Sequence, residues 1–212
     1  MNNIKKINHS KIQKLITGKF ENLAPTYYRL ISEWMNSSYE VFNDIDKYRI
    51  ILYLINKDFE HYIQIKKIES YDNFFMFDKS LELDRINIIE ISKSLNIPKE
   101  STRRKILDLE KLNVLQKIGK KIYIDRSAYR LVQPKNTLKN LSALLSKISE
   151  ILKKENLIDK SLNVDEVSEH LKENFSYCWY YFYIFIFTLT LRWKKQLGDL
   201  EIYSLGMFIT CH

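Results

Sequence analysis

Five polar side chains within one short stretch are the best suited in this chain to binding chemistry. They are Lys99, Ser101, Arg103, Arg104 and Lys105. The adjacent arginines are informative because the chain holds only eight arginines among its 34 basic residues. A guanidinium group is a rigid fork that donates paired hydrogen bonds to a phosphate or to the edge of guanine. The cluster therefore predicts a surface that binds nucleic acid.

A short helix is predicted immediately before this cluster. Its apolar residues recur at i, i+3 and i+7, at Ile88, Ile91 and Leu95. The side chain of Asn87 is placed to accept hydrogen bonds from the free amides of the first turn. Asn96 follows where the chain must turn, and asparagine tolerates the left-handed conformation better than most residues. A helix that ends in a tight turn is therefore expected.

A second helix is predicted from Pro98 to about residue 112, because proline is favoured in a first helical turn. Its inward stripe is formed by Thr102, Ile106 and Leu109, and Leu112 extends it. The five polar residues of the cluster then fall on the outward side. We expect this helix to be anchored by its apolar residues and to present a basic surface.

Two short strands with a basic tip are predicted after the second helix, at residues 114–118 and 122–124. Gly119 lies between them and permits the positive φ of a hairpin. We expect Lys117, Lys120 and Lys121 to lie along a sugar-phosphate backbone, where point charges suffice. Between Lys99 and Lys121, eight Lys or Arg outnumber three acids, which supplies +5 of the chain's net charge of +8.

The run from Ser94 to Arg104, SLNIPKESTRR, resembles a motif of the winged helix-turn-helix superfamily of bacterial transcription regulators. The GntR-type and MarR-type regulators share the looser pattern. Asn96 and Asn113 stand where that superfamily usually has glycine, and both are compatible with a turn. The resemblance covers residues 86–115. It implies a winged helix-turn-helix fold and implies that Ser101 and Arg103 reach phosphates and base edges.

The whole chain is expected to be mainly α, with a small β-wing and with helical segments on both sides of the helix-turn-helix. With four glycines and three prolines in 212 residues, long helices should dominate. We predict an N-terminal basic tail and helical segment over 1–83, the winged helix-turn-helix over 84–130 and a C-terminal helical segment over 131–212. Helices are expected at 26–42, 44–66, 136–154 and 165–173, and a loop at 70–83.

Residues 177–191, YCWYYFYIFIFTLTL, form the strongest hydrophobic run. It is shorter than the roughly 20 residues that cross a bilayer as a helix, so we expect no membrane partner. A helix that is buried or lies at a subunit interface is favoured, and a strand stays an alternative because aromatic residues favour strands. We expect a homodimer, formed through residues 177–187 or through the leucine stripe at 138–152.

The residue types needed for catalysis or metal binding are not arranged for it. Four glycines do not supply a phosphate loop, and the histidines lack the paired spacing of a zinc site.

Two cysteines are too few for a disulfide framework, which favours a reducing cytoplasm. The N-terminus lacks the apolar core of a secretory signal. We expect a cytoplasmic protein that is not an enzyme and holds no cofactor or metal.

The favoured function is a sequence-specific regulator of transcription that binds double-stranded DNA. A small-molecule effector is left open. One alternative is a plasmid or phage DNA-binding protein for replication or partition. Another is an interaction module that uses the winged-helix fold for protein contacts, because lysine-rich runs in a chain rich in Asn, Ile and Lys are often only solvated surface.

Overall fold

The computed structural model describes residues 8–76, 81–83, 86–118, 121–124 and 131–211. Over these residues the protein is mainly helical with a small antiparallel sheet. The helices are α1 (His9–Gly18), α2 (Phe20–Phe42), α3 (Ile45–Gln64), α4 (Tyr71–Met76), α5 (Ile88–Leu95), α6 (Lys99–Lys111), α7 (Lys135–Lys154), α8 (Val164–Glu173), α9 (Phe175–Leu197) and α10 (Leu200–Cys211). The strands are β1 (Leu81–Leu83), β2 (Leu115–Ile118) and β3 (Lys121–Ile124).

The described residues fall into two compact units, and each unit combines segments that are distant in sequence. The first takes its residues from 1–34, 134–171 and 207–212. The second takes them from 35–133 and 172–206. The second unit therefore contains the predicted helix-turn-helix together with α9.

In the first unit, hydroxyl groups of α7 fix the connection to α8. Ser146 donates to the carbonyl oxygen of Leu162 at 2.8 Å, and the amide of Leu162 donates to the hydroxyl of Ser149 at 2.9 Å. Asn163 and Glu166 then exchange two hydrogen bonds of 2.9 Å, each between a side-chain oxygen and the other's amide. This reciprocal pair is a capping box, which satisfies donors at the start of α8.

In the second unit, α3 is the central helix. Residues 48–55 are buried without interruption, so α3 is covered on all sides rather than along one stripe. It packs against α5, α6, α9 and β1, most extensively against α9. The ring of Phe59 lies 5.7 Å from that of Phe175 and 6.0 Å from that of Tyr183, centroid to centroid, which fixes α3 against α9.

The tight turn between α5 and α6 has the conformation that its residues predict. Asn87 accepts from the amides of Ile89 and Glu90 at 3.0 and 3.1 Å and so caps α5. Asn96 adopts the left-handed conformation with φ 50° and ψ 49°. Ile97 is buried beneath the turn. These features confirm the predicted end of the first helix and the start of the second.

The sheet contains a strand that the sequence analysis missed. β3 is central and pairs antiparallel with both β1 and β2, in the order β1-β3-β2. Leu81 pairs with Ile124 and Leu83 with Ile122. The predicted loop at residues 70–83 is therefore wrong, because α4 and β1 lie within it. A strand of three residues has too little local signal, and its pairing depends on residues about 40 positions later in the chain.

The other predicted helices are present. α2 begins at Phe20, six residues before its predicted start, and the remaining bounds differ from the predicted ones by one or two residues. The run at 177–191 lies in α9, so the strand alternative is wrong. On α7, Leu138 and Leu141 are buried, and the later members of the predicted stripe are half-buried. Within the described part of the chain, no helix combines the length and apolar character needed to cross a membrane.

Two isoleucines of α5 test this packing directly. Ile91 is fully buried, whereas Ile89 on the opposite side is half exposed. We expect Ile91→Ala to lower the free energy of unfolding by about 2–5 kcal/mol, because it leaves a cavity, and Ile89→Ala to lower it by less than about 0.5 kcal/mol. Urea unfolding followed by circular dichroism measures both. Equal losses in the two variants would show that α5 is not packed by this face.

Candidate nucleic-acid interface

α6 has two chemically different sides. Thr102, Ile106 and Leu109 are buried, and they anchor the helix as predicted. The hydroxyl of Thr102 donates to the carbonyl oxygen of Pro98 at 3.2 Å, so this buried polar group is satisfied. Among the other residues of α6, Lys99, Arg103 and Arg104 are exposed and Ser101 is half-buried; we call these four residues the basic face.

The two arginines of the basic face differ in their surroundings. The Nε of Arg103 donates to a carboxylate oxygen of Glu100 at 2.9 Å, and both side chains are exposed. Exposed pairs of this kind contribute little to stability, so the arginine can leave the pair at little cost. Arg104 makes no ion pair with another described residue. Its charge is therefore directly available to an anionic partner.

Lys105 does not belong to the basic face in the structure. Its ammonium group pairs with a carboxylate oxygen of Asp44, and its side chain is only 17 % exposed. Asp44 also caps α3 by accepting from the amide of Lys47 at 3.0 Å. Lys105 therefore joins α6 to the start of α3. The helical period places it between the two sides of α6, and the pairing with Asp44 turns it inward.

Leu112 also departs from its predicted place. It was expected to extend the inward stripe, but it is exposed. α6 ends at Lys111, and the chain reverses at Asn113, which has a φ of 56°. Leu112 therefore no longer follows the helical period of Thr102 to Leu109, and its side chain points to solvent.

The predicted wing lysines are described only in part. Lys117 on β2 is exposed and makes no ion pair with another residue that the structure describes. Lys120 lies outside the described residues, and of Lys121 only the backbone is described, as the first residue of β3. The structure thus places Lys117 on a strand that follows α6 directly, and it leaves the other two lysines as predictions.

A buried charge network beneath α6 was missed by the sequence analysis. The guanidinium of Arg49 is completely buried, and it donates to a carboxylate oxygen of Asp46 at 2.7 Å and to the carbonyl oxygen of Leu95 at 3.1 Å. Asp46 also accepts from the ammonium of Lys194 at 2.7 Å. The network joins α3 to the end of α5 and to the last turn of α9. Its signal in the sequence is an arginine in a run of apolar residues that covers every side of a helix.

Burial and neighbouring cations act in opposite directions on Asp46. Burial alone raises the pKa of this carboxyl, but the charge of Arg49 and the hydrogen bond from Lys194 outweigh burial and hold the pKa below its ordinary value of 3.8. Asp46 is therefore ionised at neutral pH. In that state it compensates the buried charge of Arg49.

A polar cleft of about 240 Å³ lies beside this network, at the first turns of α3 and α10. Its charged lining residues are Asp44, Asp46, Lys105, Lys194, Asp199 and Glu201. Both lysines are already paired with aspartates. With four carboxylates and two lysines, the cleft is not suited to an anionic ligand.

Comparisons of the chain with family models, with curated proteins and with solved structures found no match. Among the residues that the structure describes, no group of three or more His, Cys, Asp or Glu side chains is placed to hold a metal ion. The feature on which a function can be argued is therefore the basic face of α6 and the network that supports it.

The role of Asp46 predicts a dependence of stability on pH. Because its pKa is lowered in the folded state, its contribution is present above the ordinary pKa and is lost as the pH falls through the lowered value. At pH 7, Asp46→Asn should lower the free energy of unfolding by about 3–5 kcal/mol, because Arg49 loses its counter-charge. The difference from the parent protein should shrink as the pH falls below the ordinary pKa and through the lowered one, because Asp46 then becomes protonated in both states.

Urea unfolding of both proteins at several pH values measures this difference. Asp159→Asn is the control, since Asp159 is an exposed residue of the segment between α7 and α8. A difference for Asp46→Asn that does not shrink as the pH falls through that range would contradict the assigned role.

Proposed function

We propose that this protein binds double-stranded DNA and regulates transcription, with α6 as the helix that enters the major groove. One observation carries the proposal: α6 is anchored by three buried side chains, and Lys99, Arg103 and Arg104 are exposed along it. A helix with its side chains is about 10–12 Å in diameter, and the major groove is about 12 Å wide, so the groove accepts a helix such as α6.

The order of the elements supports a winged helix-turn-helix as the fold of residues 45–124. Along the chain, α3 and α4 are followed by β1, then by α5, the tight turn and α6, and then by the β2–β3 hairpin. In that arrangement α5 crosses the DNA backbone and α6 contacts base edges. We infer that the hairpin is the wing and that Lys117 contacts phosphates beside the groove.

The basic face divides by chemistry into base contacts and phosphate contacts. Arg104 is exposed and forms no ion pair with another described residue, and Asp108 near it pairs with Lys47, which leaves Arg104 suited to donate two hydrogen bonds to guanine. Arg103 would first have to leave Glu100, and a phosphate would replace that carboxylate. Lys99 and Ser101 lie in the first turn of α6, where free backbone amides also favour an anion. Lys105 keeps its ion pair with Asp44 and joins α6 to the start of α3.

A homodimer is part of this proposal. One helix in one groove contacts only a few base pairs, whereas a two-fold dimer contacts two half-sites about 34 Å apart. Doubling the contacts raises both the affinity and the number of bases that are discriminated. A regulator of this kind therefore needs a surface through which two copies pair.

A second candidate function is protein binding through the same fold. It is favoured by the apolar side chains that the helix-turn-helix exposes, which are Ile89, Leu107, Leu112 and Ile118. Leu107 lies on α6 itself, where it suits either a thymine methyl group or a protein partner. DNA affinity that depends on salt distinguishes the two functions.

The double variant Arg103→Ala/Arg104→Ala tests the proposed DNA contact. We expect the parent protein to bind a mixed-sequence duplex with a Kd of about 1–100 µM and to weaken steeply as salt rises. The variant should bind about tenfold more weakly or worse, and the slope of log K against log salt should fall by about one unit for each lost phosphate contact. Fluorescence anisotropy over a series of salt concentrations measures both quantities.

The matched control is Lys153→Ala/Lys154→Ala, which removes two adjacent exposed cations from the end of α7. It changes the net charge by the same amount and should leave the affinity within about twofold. Equal losses in the two double variants would mean that net charge alone attracts DNA. No binding at low salt by the folded parent protein would favour the second candidate.

Removal of the acid beside Arg103 should have the opposite effect. Glu100 places a negative charge on the side of α6 that would face phosphates. We expect Glu100→Gln to strengthen DNA binding by about 1 kcal/mol, about fivefold in Kd at low salt, since one repulsive charge is removed. The same anisotropy assay measures the gain. Weaker binding by Glu100→Gln would show that the carboxylate positions Arg103 for a contact.

A further inference from the structure

α9 carries two apolar stripes, and only one of them is covered. The covered stripe contains Phe175, Trp179, Phe182 and Ile186, which are buried. The other stripe lies on the exposed side of the helix and contains large apolar residues that meet solvent. Tyr177 is 48 %, Tyr181 51 %, Ile184 39 % and Phe185 40 % exposed.

The exposed stripe has the spacing of a helix-helix seam. Tyr177, Tyr181, Ile184 and Thr188 are separated by four, three and four residues, which is the a/d spacing of a heptad. No charged residue occurs between Glu173 and Arg192. A helix side that stays in contact with water usually carries charged residues over such a length. The hydroxyl of Thr188 donates to the carbonyl oxygen of Ile184 at 2.8 Å, so its burial would leave no unsatisfied donor.

We propose that this seam is the surface through which two copies of the chain form an antiparallel dimer. A second copy fits because the seam is complementary to itself. In an antiparallel pair centred between residues 182 and 183, Tyr181 lies opposite Ile184 of the second copy and Tyr177 lies opposite Thr188. Each contact then joins an aromatic ring to a smaller β-branched side chain, and the same patch serves both subunits, as a two-fold interface requires.

The area of the seam suits the centre of such an interface. A fully exposed aromatic side chain offers about 150–250 Å², so the four half-exposed side chains leave about 350 Å² per copy. A standard interface buries about 800 Å² per partner, and its apolar centre is surrounded by a polar rim. The rings of Tyr177 and Tyr181 already contact each other edge to face at 5.0 Å. The leucine stripe of α7 offers less, since its residues are buried or half-buried.

The choice of a second copy rests on the proposed function, because a two-fold dimer is what DNA half-sites require. The test is sedimentation velocity of the full chain at several concentrations. The parent protein should sediment as a dimer of twice 25.5 kDa. Ile184→Glu places a charge at the centre of the seam and should shift the protein to a monomer, with an unchanged far-ultraviolet spectrum and a cooperative thermal unfolding transition. Ile68→Glu, at an exposed isoleucine outside α9, should stay a dimer.

The outcomes separate this proposal from the proposed function. A monomeric parent protein, or a dimer that persists in Ile184→Glu, overturns the seam, whatever the DNA result. A monomeric variant that keeps the salt-dependent binding of one α6 helix, beside a dimeric parent that binds more tightly, supports both proposals. A dimer that Ile184→Glu dissociates, but that binds no DNA at low salt, supports the seam and overturns the DNA-binding function. If Ile184→Glu misfolds, an equal mixture of Tyr181→Cys and Ile184→Cys chains, both without the natural cysteines, replaces it. These positions face each other across the proposed pair, so oxidation should link one chain of each kind, and no linked dimer overturns the seam.

Discussion

The charge of Arg49 is fully buried, and the geometry of the second unit depends on how that charge is compensated. Transfer of an ion from water to a protein interior costs several kcal/mol, so the guanidinium must keep the carboxylate of Asp46 and the carbonyl oxygen of Leu95. The bond to Leu95 fixes α3 against the end of α5. Because Asp46 also holds Lys194, the same charge fixes the last turn of α9. Few other arrangements of α3, α5 and α9 would therefore keep the charge of Arg49 compensated.

The presentation of α6 follows from the same short segment of α3. Asp44 holds Lys105, and Lys47 lies 3.1 Å from Asp108, so two ion pairs join the start of α3 to α6. Pairs that are partly exposed contribute little stability, so the burial of Ile106 and Leu109 supplies most of what holds α6 in place. The ion pairs instead select one rotation of the helix. They draw Lys105 inward, and Arg103 and Arg104 then point outward.

The features that the sequence predicted correctly are those with a local physical cause. The side chain of Asn87 caps the first turn of α5, and Asn96 adopts the left-handed conformation that ends this helix. Both effects act within four residues. The features that it missed depend on distant partners. Lys105 turns inward because of Asp44, 61 positions earlier, and β1 exists because β3 offers it an edge. Arg49 could have been identified as buried, because the apolar residues of 48–55 leave α3 no solvated side. Which carboxylate would pair with it was not predictable from spacing alone.

α9 carries the buried network and the proposed seam on one rigid element. Lys194 holds Asp46 in the last turn of the helix, and the exposed stripe from Tyr177 to Thr188 lies on turns that precede it. In a dimer paired through that stripe, the position of each α3 would be set by its packing on α9, and α3 would in turn set α5 and α6. The rings of Phe59, Phe175 and Tyr183 are in contact between α3 and α9. A close-packed interior deforms little, so two α6 helices joined in this way would have one fixed separation, and the DNA site would have one half-site spacing.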